Sequence, residues 1–408
     1  MLEMKCQGVK IHPCSKTEKA SMLIVGGSRM GKTYFASLYG NHLIDLGSSV
    51  HLIDLDSNWN SDDRMRIGIK KVRKAESGQK TVLCFPDGKA LYGCGKVMLD
   101  ALGSRSGKML LEVNNALKGL LGRCQEFSLQ EILQEMAKNK EGQVYSETLS
   151  AILDDSEAIS EMIYLKIDAA EAENMADTST IWDFSRFDGK SAKVMVQLVL
   201  HALYSVQRSR FQKGEIHRRV YIIIDEFQNL GVENTLISKC LTEGQKSRIY
   251  LILLTQFLQG KFKNEAINEL KQGGFKVFFR LTEEEAGQVS RQLGQDVSQQ
   301  QYLKHKLCSL ERGECLFIGP HNVDGRKEVT EKIRFVRISN KDIQCKDTIT
   351  HPKKNIIFVS RPINNKQVAR NNPVYGRPRQ TAPATPQKSI IKRPGREVLP
   401  YDPNPSGR

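Results

Sequence analysis

Eight residues near the start of the chain, Gly26, Gly27, Ser28, Arg29, Met30, Gly31, Lys32 and Thr33, fit the pattern GxxxxGK[ST]. Glycines let the backbone curl so that successive N–H groups point inward, where they can meet phosphate oxygens. An apolar run at residues 22–25 enters the pattern as a strand, and a helical pattern over residues 34–46 leaves it. The partial positive charge of a helix start therefore falls on the same spot. This context separates a nucleotide-binding loop from a chance match. Lys32 is expected to reach the β- and γ-phosphates of ATP, and the Thr33 hydroxyl to ligate Mg2+.

A second group lies far along the chain. Val220, Tyr221, Ile222, Ile223 and Ile224 run into Asp225 and Glu226, the pattern of a buried parallel strand that delivers acids at its carboxyl end. Asp225 would hold Mg2+ through water, and Glu226 would orient and deprotonate the attacking water. The adjacent glutamate separates the chain from GTPases and small-molecule kinases, and no NKxD guanine-reading motif occurs. A third apolar run, residues 249–254, ends in Thr255 and Gln256. Gln256 could contact the γ-phosphate or the water and report hydrolysis. The alternative is a polar strand end with no role.

The elements that must position these groups read as an α/β fold with a mostly parallel sheet. Further strands are expected at residues 50–55, 81–85, 180–182, 276–280, 314–318 and 332–337, the last two as a hairpin. Between residues 97 and 175 Leu and Met recur at helical spacing, which predicts an all-helical insertion or additional core helices of the same domain.

Composition bounds the rest. The nine cysteines are scattered singly with no CxxC pair, which argues against a disulfide framework or zinc site and for a cytoplasmic protein. No apolar run approaches the roughly 18 residues a membrane helix needs, and the N-terminus does not read as a secretory signal. From His351 onward there are twelve basic and two acidic side chains and ten of the thirteen prolines, so most of the net charge of +15 sits there. A Pro-rich, basic segment with few apolar residues cannot offset its ordering entropy and reads as a disordered tail.

The order of these motifs resembles the HerA/FtsK superfamily, which includes conjugation and type IV secretion ATPases and coupling proteins. DEFQNL at residues 225–230, TIWDFSRFDG at 180–189 and KVFFRLTEEEAGQVSRQLG at 276–294 are similar to segments of those proteins. The resemblance implies a RecA-like P-loop NTPase core, ATP hydrolysis with Mg2+, a homo-hexameric ring and double-stranded DNA bound without sequence preference. It also implies a protein partner such as a membrane complex or a nuclease. On this basis the chain divides into an N-terminal extension (1–20), a first part of the core (21–96), the helical insertion (97–175), the second part of the core (176–340) and the basic tail (341–408).

One departure concerns catalysis. Members usually carry an arginine just before the strand ending in TQ, thought to act across the subunit interface, and Gln245 stands there in this chain. Arg248 or Lys246 could substitute, or Arg280 at the end of the next strand. Three functions follow: a DNA-translocating ring motor of a conjugation-like system, a viral genome-packaging ATPase, and an ATP-binding scaffold that assembles without translocation. DNA-stimulated ATP turnover separates the first two from the third.

Overall fold

A computed structural model describes residues 3–6, 9–14, 20–74, 80–104, 106–152, 162–187, 189–215, 218–230, 235–256, 274–323, 329–330 and 333–339. Two short strands, β1 (Glu3–Cys6) and β2 (Val9–Pro13), precede β3 (Met22–Val25), α1 (Lys32–Asp45), β4 (Ser49–Asp54) and α2 (Ser61–Ile67). Next come β5 (Lys71–Lys74), β6 (Thr81–Phe85), α3 (Gly88–Ala101), α4 (Gly107–Leu121), β7 (Glu126–Ser128), α5 (Leu129–Met136), α6 (Lys140–Ile152), β8 (Ile163–Ile167) and α7 (Ala169–Asp177). They are followed by β9 (Thr180–Asp183), α8 (Gly189–Gln212), β10 (Val220–Ile224), a 3-10 turn at Phe227–Leu230, α9 (Thr235–Glu243), β11 (Ile249–Thr255) and β12 (Phe275–Phe278). The last elements are α10 (Glu283–Leu293), α11 (Val297–Cys308), β13 (Glu314–Ile318), β14 (His321–Val323), β15 (Val329–Thr330) and β16 (Arg334–Ser339).

Among the described residues thirteen strands form one sheet in the order β15-β14-β2-β1-β16-β13-β12-β3-β11-β10-β4-β9-β5. From β12 to β5 every neighbour is parallel. From β12 to β15 every neighbour is antiparallel. The inner strands of the parallel half are covered on both faces, which is why they read as unbroken apolar runs. Alternate residues of one strand serve opposite cores: Ile222 and Ile224 pack with Val194 and Leu198 of α8, Tyr221 and Ile223 with Phe35 and Tyr39 of α1. The fold class is the expected one, α/β, with the P-loop strand β3 inside the parallel half of the sheet. β13 and β16 pair antiparallel as expected, Glu314 opposite Arg337.

Several elements differ from the sequence expectation. Residues 3–6 and 9–13, read as part of an extension, are built into the antiparallel half through β1 against β16 and β2 against β1. Residues 81–85 form a strand, but it belongs to a separate three-stranded sheet, β6-β8-β7. Residues 97–175, expected to be all helical, hold helices but also the strands β7 and β8. Among the described residues no helix is long and apolar enough to cross a membrane. The basic tail, residues 341–408, lies outside the described residues.

Candidate nucleotide-binding site

β3 is buried along its whole length and ends at Gly26. A Cβ on Gly26 would sit 2.5 Å from the Phe279 Cβ, so only glycine lets the loop lie this close to the end of β12. The Gly27 N–H donates to the Arg280 carbonyl at 3.1 Å, which ties the loop to the same chain segment. Arg29 (φ 60°) and Gly31 (φ 112°) turn the backbone through the left-handed region into the first turn of α1. That helix start has no side-chain cap and no acidic residue in its first turn, so its N–H groups and its dipole are left for an anion. Ser28 and Arg29 are exposed and Met30 is buried. Lys32 is 6% exposed and its Nζ donates to the Gly26 carbonyl at 2.8 Å and the Gly27 carbonyl at 3.2 Å. Burial lowers its pKa, opposed by the Glu226 and Asp225 carboxylates.

Asp225 and Glu226 leave β10 at the same sheet edge. The Thr33 hydroxyl donates to Asp225 Oδ2 at 3.5 Å, and the indole N–H of Trp59 donates to the same oxygen at 3.0 Å. Asp225 Oδ1 accepts the Glu226 N–H at 2.8 Å. Burial, then the neighbouring Glu226 charge, pushes the Asp225 carboxyl up to about 6, against the pull of that N–H and of Lys32. Glu226 adopts φ 48°, a backbone strain that a non-glycine residue holds only where the surroundings enforce it. Its carboxylate is gripped twice: Gln256 Nε2 donates to Oε1 at 2.6 Å, and Gln228 Nε2 donates to Oε2. Gln256 in turn accepts from Ser28 Oγ at 3.1 Å. One hydrogen-bonded chain thus runs from the phosphate loop through Gln256 to Glu226.

This donor set fits ATP with Mg2+. Among the described residues no group of three or more His, Cys, Asp or Glu could hold a metal on protein ligands alone. One hydroxyl and one carboxylate are what Mg2+ takes when phosphates and water complete its shell.

No protein-family model and no curated protein matches the chain. Solved structures do. VirB4 of Thermoanaerobacter pseudethanolicus superposes with TM-score 0.62 at 14% identity, over 84% of this chain and 97% of that one. The bacterial conjugative coupling protein TrwBdeltaN70, unbound, gives TM-score 0.56 at 11% identity over 83% and 88%. Plasmid coupling protein TrwB in complex with ADP and Mg2+ gives 0.54 at 12% over 79% and 86%. The chain has the VirB4 and TrwB fold. It is the fold that the resemblance implied.

Within the VirB4–TrwB fold the expected site residues divide. Gly26 to Thr33, Asp225, Glu226 and Gln256 come together. Arg280 is exposed beside the loop, its carbonyl already holding Gly27. Arg248 is elsewhere: exposed, with φ 54°, it precedes β11 at the amino end of the sheet. Ile224 pairs with Leu253, so Arg248 lies about six residues along the strand direction from Asp225, roughly 20 Å at ~3.3 Å each. Sequence reasoning missed Trp59, Gln228 and a clamp beside them, in which Arg64 Nη2 donates to Asp54 Oδ2 and Asp183 Oδ2, both at 2.8 Å. Burial raises the Asp54 pKa, with Arg64 opposing. The signal available was position: Asp54 and Asp183 end β4 and β9, the next two strands beyond β10 on the same edge.

Proposed function

We propose that this chain is an ATP-hydrolysing motor subunit that acts in a homo-hexameric ring on double-stranded DNA, in a conjugation-like system. The observation that carries the reading is the convergence of Lys32, Thr33, Asp225, Glu226 and Gln256 at one sheet edge. Lys32 leaves its loop carbonyls to hold the β- and γ-phosphates of ATP, and the N–H groups of residues 28–33 cradle them. Thr33 and Asp225 are the protein groups that would hold Mg2+. Bound there, the ion neutralises charge that develops on the phosphates. Glu226 takes the proton of the attacking water, and Gln256, already on Glu226 and Ser28, senses the γ-phosphate. Arg248 cannot serve its own site; in a ring it would serve a neighbour's, while Arg280 would act from within the chain.

DNA as cargo is supported by the fold shared with proteins described as conjugative coupling proteins and by the net charge of +15, which favours phosphate contact without base reading. The test is ATP turnover with and without long duplex DNA. Stimulation by the duplex is expected. Tight ATP binding without turnover under either condition would instead make the chain an ATP-binding scaffold.

A further inference from the structure

We infer that Trp59 is a positioning residue for the Mg2+ ligand, its indole N–H fixing the Asp225 carboxylate so that Oδ2 faces Thr33. The inference rests on the reading of Asp225 and Thr33 as the groups that hold Mg2+. Trp59 is 2% exposed and Asp225 3% exposed, so the 3.0 Å bond between them is made away from water. Losing either partner would leave a buried polar group unsatisfied. Oδ1 is occupied by the Glu226 N–H, and the Thr33 contact to Oδ2, at 3.5 Å, is too long to orient the group by itself. The indole therefore supplies the second point that defines the carboxylate plane.

The residue type suits the task. An indole N–H is a donor only and carries no charge. It orients the carboxylate without neutralising it as Lys or Arg would, and it does not compete for the cation as a hydroxyl or carboxylate would. Trp59 is itself held by a rigid arm. It lies two residues before α2, whose start is capped by Asn60 accepting from the Asp63 N–H at 2.9 Å. Arg64 pins the helix to the ends of β4 and β9 through Asp54 and Asp183. On its other side the Arg66 guanidinium lies 4.4 Å from the centre of the Tyr34 ring, next to Thr33. Ile67 fills the space over Gly40, where a Cβ would come within 2.8 Å of Ile67 Cδ1. The arm is thus fixed to both the strand that precedes it and the helix that carries Thr33.

The test uses Trp59→Phe, which keeps a buried ring and removes the N–H. A fluorescent ATP analogue is bound to wild type, Trp59→Phe and Asp225→Asn across a Mg2+ titration and in EDTA. For Trp59→Phe the Mg2+ midpoint is expected to rise about 10-fold, the lower end of what losing a ligand's hydrogen-bond partner costs in metal affinity. Affinity in EDTA should equal that of wild type; a purely structural role would lower thermal stability and leave the midpoint in place. A midpoint within twofold of wild type, with Asp225→Asn strongly shifted, overturns the role of Trp59 alone. An unshifted Asp225→Asn instead overturns the metal reading on which it rests. Should Trp59→Phe fail to fold, Trp182→Phe leaves Trp59 as the single tryptophan. Its emission should then change when Mg2+ joins bound nucleotide, and an unchanged spectrum would contradict the inference.

Discussion

The two ends of the same parallel strands carry different chemistry. At the carboxyl ends of β4, β9 and β10 stand Asp54, Asp183, Asp225 and Glu226, with Lys32 and Arg64 set among them. At the amino ends the charged groups are mostly cations. Arg219 lies 5.4 Å from the centre of the Tyr250 ring, which stacks on Tyr221 at 5.2 Å, and Arg210 forms a two-pronged pair with Asp177. Polar side chains there tie elements together, as Ser49 Oγ does to the Asp177 carbonyl at 3.1 Å. Among the described residues the non-glycine positions with positive φ are Arg29, Ser57, Glu226 and Arg248. Three lie at the carboxyl edge, where strain positions reacting groups. Arg248 is the exception at the amino edge. On the proposed reading one edge binds and reacts while the other holds the sheet, with Arg248 exposed at the amino end.

The largest expected effect is at the carboxyl edge. Lys32→Ala removes the main side-chain partner of the phosphates, and turnover should be abolished. Retention of a tenth of wild-type turnover would take Lys32 out of the site. Next comes the exception. Arg248→Ala should lower turnover by roughly 1000-fold with ATP binding intact, the lower end of what an arginine supplied across an interface contributes. Mixing Arg248→Ala with Lys32→Ala subunits should restore turnover, because a Lys32→Ala neighbour still offers its arginine. Mixtures no more active than either variant would show that Arg248 does not act between subunits.

The amino half should show itself in stability instead. His51, fully buried, bonds to the Ala176 carbonyl at 3.2 Å and accepts from Trp182 Nε1 at 3.3 Å. Burial lowers its pKa to about 4. The folded chain keeps His51 neutral while the unfolded chain takes up a proton near pH 6.5. Its contribution is therefore complete above pH 6.5 and is lost as pH falls toward 4, by on the order of 3 kcal/mol. Urea unfolding of wild type and His51→Gln at pH 7 and pH 4.5 measures this; equal pH slopes would remove the assignment. The smallest effect on turnover is expected from truncation after residue 339, which removes none of the groups assigned to either edge. Turnover without DNA should change less than about twofold. Duplex binding should weaken and its salt slope flatten by ~0.9 for each phosphate the shortened chain leaves unneutralised. An unchanged slope would make the tail a solvated appendage.

Much of the carboxyl edge is legible in the sequence, because its chemistry is local. A glycine-rich loop between a strand and a helix, and an apolar run ending in Asp225 and Glu226, state their own geometry. What was not legible depends on partners far along the chain. β5 reads KVRK and has no apolar run, because it is the sheet's edge and charged residues protect it from further pairing. β1 and β2 are strands only because β16 pairs with β1. Trp59 lies in a polar connection, and nothing in its neighbours announces that residue 225 accepts its N–H. Arg248 was legible as a basic residue before a strand but not as one on the far edge, since distance from the acids follows from strand direction.

The central claim is that Glu226, held by Gln256 and Gln228 at the end of β10, is the base for ATP hydrolysis. The direct measurement compares Glu226→Gln with wild type for both ATP affinity and turnover at saturating Mg2+. The account predicts ATP bound within a few-fold of wild type and turnover lower by at least ~100-fold, the smaller end of what a general base contributes. Equal turnover in the two proteins would contradict it.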